Sequence, residues 1–166
     1  MKRLVWDYLY LFCVAGIVFC LDQTAKFLVR TNIQPGEAWV PASVLEPYAQ
    51  IVHTPNTGMA LGMLQNTNGL FIALSEIICI AIVILYPGIS RKGDSLLIGF
   101  GLGLVLGGAA GNLVDRMVVG YVTDIILMNL LPVFNLADAG IFLGSILVAV
   151  GLLKGKDQSK PLAALM

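Results

Sequence analysis

Apolar and polar positions along this chain are sorted into long blocks. Four stretches, Tyr8 to Val29, Gly69 to Tyr86, Leu96 to Val114 and Pro132 to Leu153, stay mostly apolar for the ~20 residues that a helix needs to cross a bilayer. The first is apolar from Tyr8 to Leu21 and continues as DQTAKFLV, so its end is expected at an interface. Between the blocks lie two longer connections, Arg30 to Asn68 and Asn112 to Leu131. The first connection contains the strand-like pieces AWVPASVL and AQIVH, then the turn-rich TPNTG and the apolar GMALGML, which together predict a small β element. In the second connection, YVTDIILMNLL fits a short interfacial helix or a strand, and periodicity does not choose between them.

Composition agrees: 58% of residues are hydrophobic and 12% charged, far from the balance of a soluble domain. With 166 residues and no internal repeat or linker, we expect residues 1–166 to form a single integral-membrane domain, an α-helical protein of four transmembrane helices. The formal net charge is zero and no basic block stands out, so nucleic acid is not an expected partner. Lys2, Arg3, Arg91, Lys92, Lys154, Lys156 and Lys160 fall on one side of the membrane; Lys26, Arg30 and Arg116 fall on the other. That asymmetry predicts cytoplasmic termini and outward-facing long connections.

The N-terminal MKR, apolar run and VFCLD have the outline of a cleavable leader, but Phe19 precedes Cys20 where a lipoprotein cleavage box needs a small residue. A retained helix is therefore expected. Cys13, Cys20 and Cys79 lie within predicted spans, without a C-x-x-C pair or a cluster around the single His53. They read as packing residues.

Polar residues inside the spans carry the candidate chemistry. Gly103, Gly107 and Gly111 recur every fourth position in the third span, and Gly140 and Gly144 do so in the fourth; such stripes let helix backbones approach closely in lipid. Asn112 and Asp115 share a face at the outer end of the third span, and Asn135 and Asp138 repeat the spacing at the outer end of the fourth. If the fourth helix starts at Pro132, Asp138 lies roughly 9 Å along it. A carboxylate at that depth requires a cavity, a partner or the bundle interior. Two facing acids share a proton near neutral pH, the chemistry of an aspartic protease. Each acid also has a simpler explanation: a salt bridge from Asp115 to Arg116, and a helix-start carboxylate at Asp138 favoured by the dipole.

These residues sit in segments that resemble the lipoprotein signal peptidases, the type II signal peptidases of bacteria. LDQTAKFLV is similar to that family's first-helix motif, HTPNTGMALGML to its N-x-G-x-A-F-G motif, GGAAGNLVDR to G-N-x-x-D-R and FNLADAGIFLG to F-N-x-A-D. The resemblance covers nearly the whole chain and implies four transmembrane helices with a small extracytoplasmic β-cradle. It implies a catalytic dyad of Asp115 and Asp138, with Asn56, Gly108, Asn112, Arg116, Asn135 and Ala137 lining or supporting the pocket. The implied substrate is a prolipoprotein whose lipobox cysteine carries diacylglycerol, cut on the N-terminal side of that cysteine. The expected setting is the bacterial cytoplasmic (inner) membrane, with the site near the outer leaflet, lipid as the surrounding partner, a monomeric enzyme, and no metal or cofactor.

Asp22 also matches a family position, and with Lys26 four residues on it forms a favourable helical ion pair; we expect both to be structural, anchoring the first loop. Gly58 reads as a turn residue, and Asn56 either caps that turn or touches substrate. Leu61 stands where the family motif has Phe. Glu76 has no place in the motifs and is expected to face the outer cavity or bond to Ser75 or a neighbouring helix. Asp124 reads as loop structure, and Asp7 and Asp94 as solvated acids near helix ends. A transporter would spread its polar groups through the bilayer, and a magnesium-dependent transferase would need a larger carboxylate cluster. A zinc peptidase would need H-E-x-x-H, which is absent. Serine chemistry lacks a base.

Overall fold

The computed structural model describes residues 2–40, 42, 44, 48–58, 68–91 and 95–158. Four helices dominate it: α1 (Lys2–Asn32), α2 (Asn68–Ser90), α3 (Ser95–Val118) and α4 (Leu136–Gln158). All four are long and apolar enough to cross a membrane. Their outer faces carry large apolar side chains that water would not tolerate, among them Trp6, Ile17, Ile77, Ile84 and Phe142, as expected where lipid is the solvent. The inner faces meet around Leu11, Ala15, Ile82, Tyr86, Ile98, Leu102 and Leu106.

Helix α3 lies at the centre and packs on the other three helices. Glycine allows this. A Cβ at Gly103 would lie 2.7 Å from Val14 of α1, and one at Gly101 would lie 2.7 Å from the Gly144 carbonyl of α4. At Gly108 it would strike the Ala137 carbonyl. The glycine stripes read from the sequence thus bring helix backbones into close contact.

A four-stranded antiparallel sheet, in the order β1-β2-β3-β4, is formed by the connections at one end of the bundle: β1 (Ala38–Trp39), β2 (Ala49–Asn56), β3 (Val122–Met128) and β4 (Leu131–Phe134). Strand β2 extends AQIVH through the TPN that the sequence suggested was a turn. The ambiguous YVTDIILMNLL is a strand pair, β3 turning into β4. Gly120 ends α3 at φ +88°, with its N–H and that of Val119 both donating to the Asp115 carbonyl, and this left-handed turn redirects the chain into β3.

The fourth helix does not start at Pro132. Leu131–Phe134 pair with β3, and the helix begins at Leu136. Asn135 is its cap: the Asp138 N–H donates to Asn135 Oδ1 at 2.9 Å, while the Asn135 N–H donates to Asp138 Oδ2 at 3.3 Å. This reciprocal arrangement is a capping box with Asp in the place of Glu. Asp138 is therefore in the first turn of α4 and not the 9 Å along it that a Pro132 start requires. Leu61 and Asp94 lie outside the described residues.

Crowding at the glycine contacts can be tested directly. Gly103→Leu should force α1 off α3 and lower Tm in detergent by several degrees, for a cost of roughly 1–3 kcal/mol. Gly88→Ala, whose Cβ would have nothing within 4 Å, should not lower Tm, since Ala favours the helix there.

Candidate active site

The sheet end of the bundle collects most of the buried polar side chains: Asp22, Lys26, His53, Asn112, Asp115, Thr123, Asp124 and Asn135. All but His53, whose ring meets the Ile33 carbonyl, fall into two connected groups, one of ion pairs inside the bundle and one of carboxylates at a cavity.

The inner group is organised by α1, whose residues Asp22, Gln23, Lys26 and Arg30 recur at helical spacing and face α3. Lys26 Nζ lies 2.8 Å from Asp22 Oδ2 and 3.1 Å from Asp115 Oδ2. Arg30 lies 3.1 Å from Asp115 Oδ1 and donates to Thr123 Oγ1 at 3.0 Å. Asp115 Oδ2 also accepts from the Thr123 N–H at 3.0 Å, and Asp22 Oδ1 accepts from the Ala137 N–H at 2.9 Å. The expected Asp22–Lys26 pair is thus present. Its contacts run to α3 and to the start of α4, whereas the sequence suggested the first loop.

The outer group lines a cavity of about 720 Å³. Its polar members are Asn56, Asn112, Arg116, Asp124 and Asp138; Phe71, Val122, Phe134, Ile141, Phe142 and Leu143 supply much of its apolar wall. Asp124 and Asp138 are joined through Asn135, which donates from Nδ2 to Asp124 Oδ1 at 2.8 Å and from its backbone N–H to Asp138 Oδ2. Asn56 Nδ2 donates to the other oxygen of Asp124 and Asn112 Nδ2 to the other oxygen of Asp138, both at 2.8 Å. Strand pairing explains the first of these contacts. Asn56 pairs with Val122, which places it diagonally across from Asp124 on the same sheet face.

Asp124 is 3% exposed. Burial raises its pKa to about 6, the Asp138 charge adds to the shift, and the hydrogen bonds from Asn56 and Asn135 partly oppose it.

Two readings of the sequence are corrected by this geometry. Asp115 does not line the cavity with Asp138; it is 1% exposed and is committed to Lys26, Arg30, Gln23 and the Thr123 amide. Its ion partners are Lys26 and Arg30, not the adjacent Arg116. Asp124, taken as loop structure, is instead the acid that meets Asn135 opposite Asp138. In YVTDIIL it is a lone carboxylate ahead of an apolar run, a pattern that does not separate strand from helix.

The remaining candidates are dispersed around this centre. Arg116 lines the cavity and stacks over Phe71 at 5.1 Å. Asn56 caps the turn, its Oδ1 accepting from the Gly58 N–H at 3.0 Å, while its amide reaches Asp124. Gly58 also lines the cavity. Gly108 and the fully buried Ala137 meet where α3 packs on α4, behind the cavity. Glu76 is exposed on α2 and does not reach the cavity lining. Among the described residues, no three His, Cys, Asp or Glu side chains are grouped to hold a metal ion.

Comparison with known proteins places this arrangement. A bacterial membrane enzyme solved by the in meso method at 2.3 Å resolution superposes with a TM-score of 0.78 at 30% identity, covering 89% of this chain and 90% of that one. A second bacterial membrane enzyme, solved by the same method at 1.9 Å, gives a TM-score of 0.73 at 30% identity, covering 86% and 91%. The fold is therefore that of a multi-pass bacterial membrane enzyme. The family profile described as signal peptidase (SPase) II matches residues 14–154. The lipoprotein signal peptidase of Moorella thermoacetica is 36% identical over 84% of this chain and 90% of its own length, and that of Enterococcus faecalis is 31% identical over 96% of each. This chain belongs to the signal peptidase II family, a family of proteases.

The position of Asp115 predicts a structural phenotype. Asp115→Asn removes the negative charge between the buried Lys26 and the partly exposed Arg30 and should cost about 3–5 kcal/mol, read as a lower Tm in detergent; an unchanged Tm would show that the ion cluster does not hold the fold.

Proposed function

We propose that this chain is an aspartic endopeptidase of the bacterial inner membrane. It removes signal peptides from diacylglyceryl-modified prolipoproteins on the N-terminal side of the lipobox cysteine, with Asp124 and Asp138 as its reacting pair. Membership of the family supports the cleavage; the choice of acids rests on Asn135, which hydrogen-bonds both carboxylates at the edge of one cavity. Asp115 is assigned instead to positioning, because it holds the amide of Thr123, the residue before Asp124.

In this reading Asp124 enters the reaction protonated and Asp138 ionised. Asp138 accepts a proton from a water molecule, the water oxygen attacks the scissile carbonyl, and the Asp124 proton moves toward the carbonyl oxygen. Collapse of the tetrahedral intermediate breaks the C–N bond, the proton taken up by Asp138 passes to the leaving amine, and a hydroxyl of the gem-diol returns its proton to Asp124, so both acids regain their starting states. The apolar wall of the cavity suits a substrate that carries acyl chains. The positive-inside rule supports cytoplasmic termini, and with them a sheet and cavity at the outer leaflet.

Asp124→Asn and Asp138→Asn should each reduce cleavage of a diacylglyceryl-modified prolipoprotein by about 10³-fold or more while remaining folded; near-normal turnover in either variant would remove that acid from the pair. The Asp124 substitution has a second, pH-dependent signature. Because folding raises the pKa of Asp124 from 3.8 to about 6, the native state binds the proton more tightly, and wild-type stability falls as pH rises through that interval. Asp124→Asn lacks this dependence. Its stability advantage over wild type should therefore be larger at pH 7 than at pH 4, by about 2 kcal/mol, measured by denaturation in detergent at the two pH values.

A further inference from the structure

Three asparagine amides hold the two carboxylates, and each needs its own carbonyl oxygen fixed so that its NH2 group faces an acid. For Asn135 and Asn56 the backbone does this: the N–H groups of Asp138 and Gly58 donate to their Oδ1 atoms. Asn112 differs. Its Oδ1 accepts from Lys26 Nζ at 2.8 Å, in a contact that is fully buried.

We propose that Lys26 is a positioning residue for the reaction, acting through Asn112 to keep a hydrogen-bond donor on Asp138. This rests on the assignment of Asp138 as the base. An ammonium group has donors only, so it can meet the carbonyl end of Asn112 and not the amino end. The Asn112 amino group is then directed at Asp138 Oδ1, 2.8 Å away. Once Lys26 is removed, the amide is free to turn over. Its carbonyl then faces a carboxylate oxygen, an arrangement tolerated only if Asp138 takes up a proton, and a protonated Asp138 cannot accept one from water. Lys26 is 0% exposed and does not line the cavity, so it acts without touching substrate. The contacts of Lys26 with Asp22 and Asp115 raise a rival explanation, that it serves only to neutralise buried acids.

The two explanations separate in a charge-balanced variant. Lys26→Met leaves Asp22 without its cation and should lower both Tm and kcat. Asp22→Asn/Lys26→Met removes one charge of each sign while keeping an acceptor for the Ala137 amide, so Tm should recover. Arg30 still pairs with Asp115. In this double variant kcat should remain about 10- to 100-fold below wild type, the range for losing one charge-assisted hydrogen bond, with KM within about threefold. Adding Asn112→Ala should lower kcat little further, because the relay is already broken. Recovery of kcat together with Tm, or a full additional loss from Asn112→Ala, overturns the proposal. Asp138→Asn assayed alongside keeps the underlying assignment separate: if it retains turnover the acid pair is wrong, whereas if it is inactive and the double variant is fully active, only the role of Lys26 fails.

Discussion

A network of ion pairs buried between helices governs this structure. Asp22, Lys26 and Asp115 are no more than 1% exposed, and Arg30 reaches in beside them from the same helix as Lys26. Charges within a membrane bundle persist only when paired with one another or with backbone groups, and each member here is. Because the partners come from different elements, satisfying these charges also docks α1 against α3, fixes the amide of Thr123 in β3 and holds the Ala137 amide in the first turn of α4. The cavity is built on those three attachments.

The ion network and the carboxylate pair have different relations to solvent and to each other. The inner charges are mutually neutralised and shielded by helices. Asp124 and Asp138 receive neutral amide donors from Asn56, Asn112 and Asn135, which stabilise a carboxylate without fixing its charge as an adjacent cation would. Asn112 belongs to both groups, with one end of its amide on Lys26 and the other on Asp138. Arg116 supplies positive charge at the cavity wall and is braced by the Phe71 ring rather than by an ion pair with Asp115.

Most of the fold was legible in the sequence because its elements are long and single-minded: four apolar blocks, glycines at every fourth position, and the strand-like AQIVH. The boundary that failed was Pro132. An apolar run continues unbroken from strand β4 into α4, so hydropathy cannot detect the change of backbone; the break is marked only by Asn135 and Asp138 as a capping box. The site was partly legible. Asn112, Asn135 and Asp138 could be placed from their spacing at the helix ends. Asp115 shares that spacing, yet it turns toward α1, a packing choice made by Lys26 and Arg30 far away in the chain. Asp124 could not be recognised until β2 was paired with β3, which carries Asn56 to it from 68 residues away.

The wall of the cavity has a simple distribution along the chain. From Val122 through Leu143, one uninterrupted segment provides most of the lining, including both carboxylates, whereas α1 provides none of it. The cavity wall and the ionic frame on α1 are thus carried largely by separate stretches of the chain, joined where the Thr123 and Ala137 amides attach to Asp115 and Asp22. Substitutions at apolar wall positions such as Leu131, Val133 or Phe142 can reshape what the cavity accepts while the ionic framework anchored on α1 stays intact. Drift at these few apolar positions can thus alter the shape of the cavity without rebuilding the membrane-embedded frame.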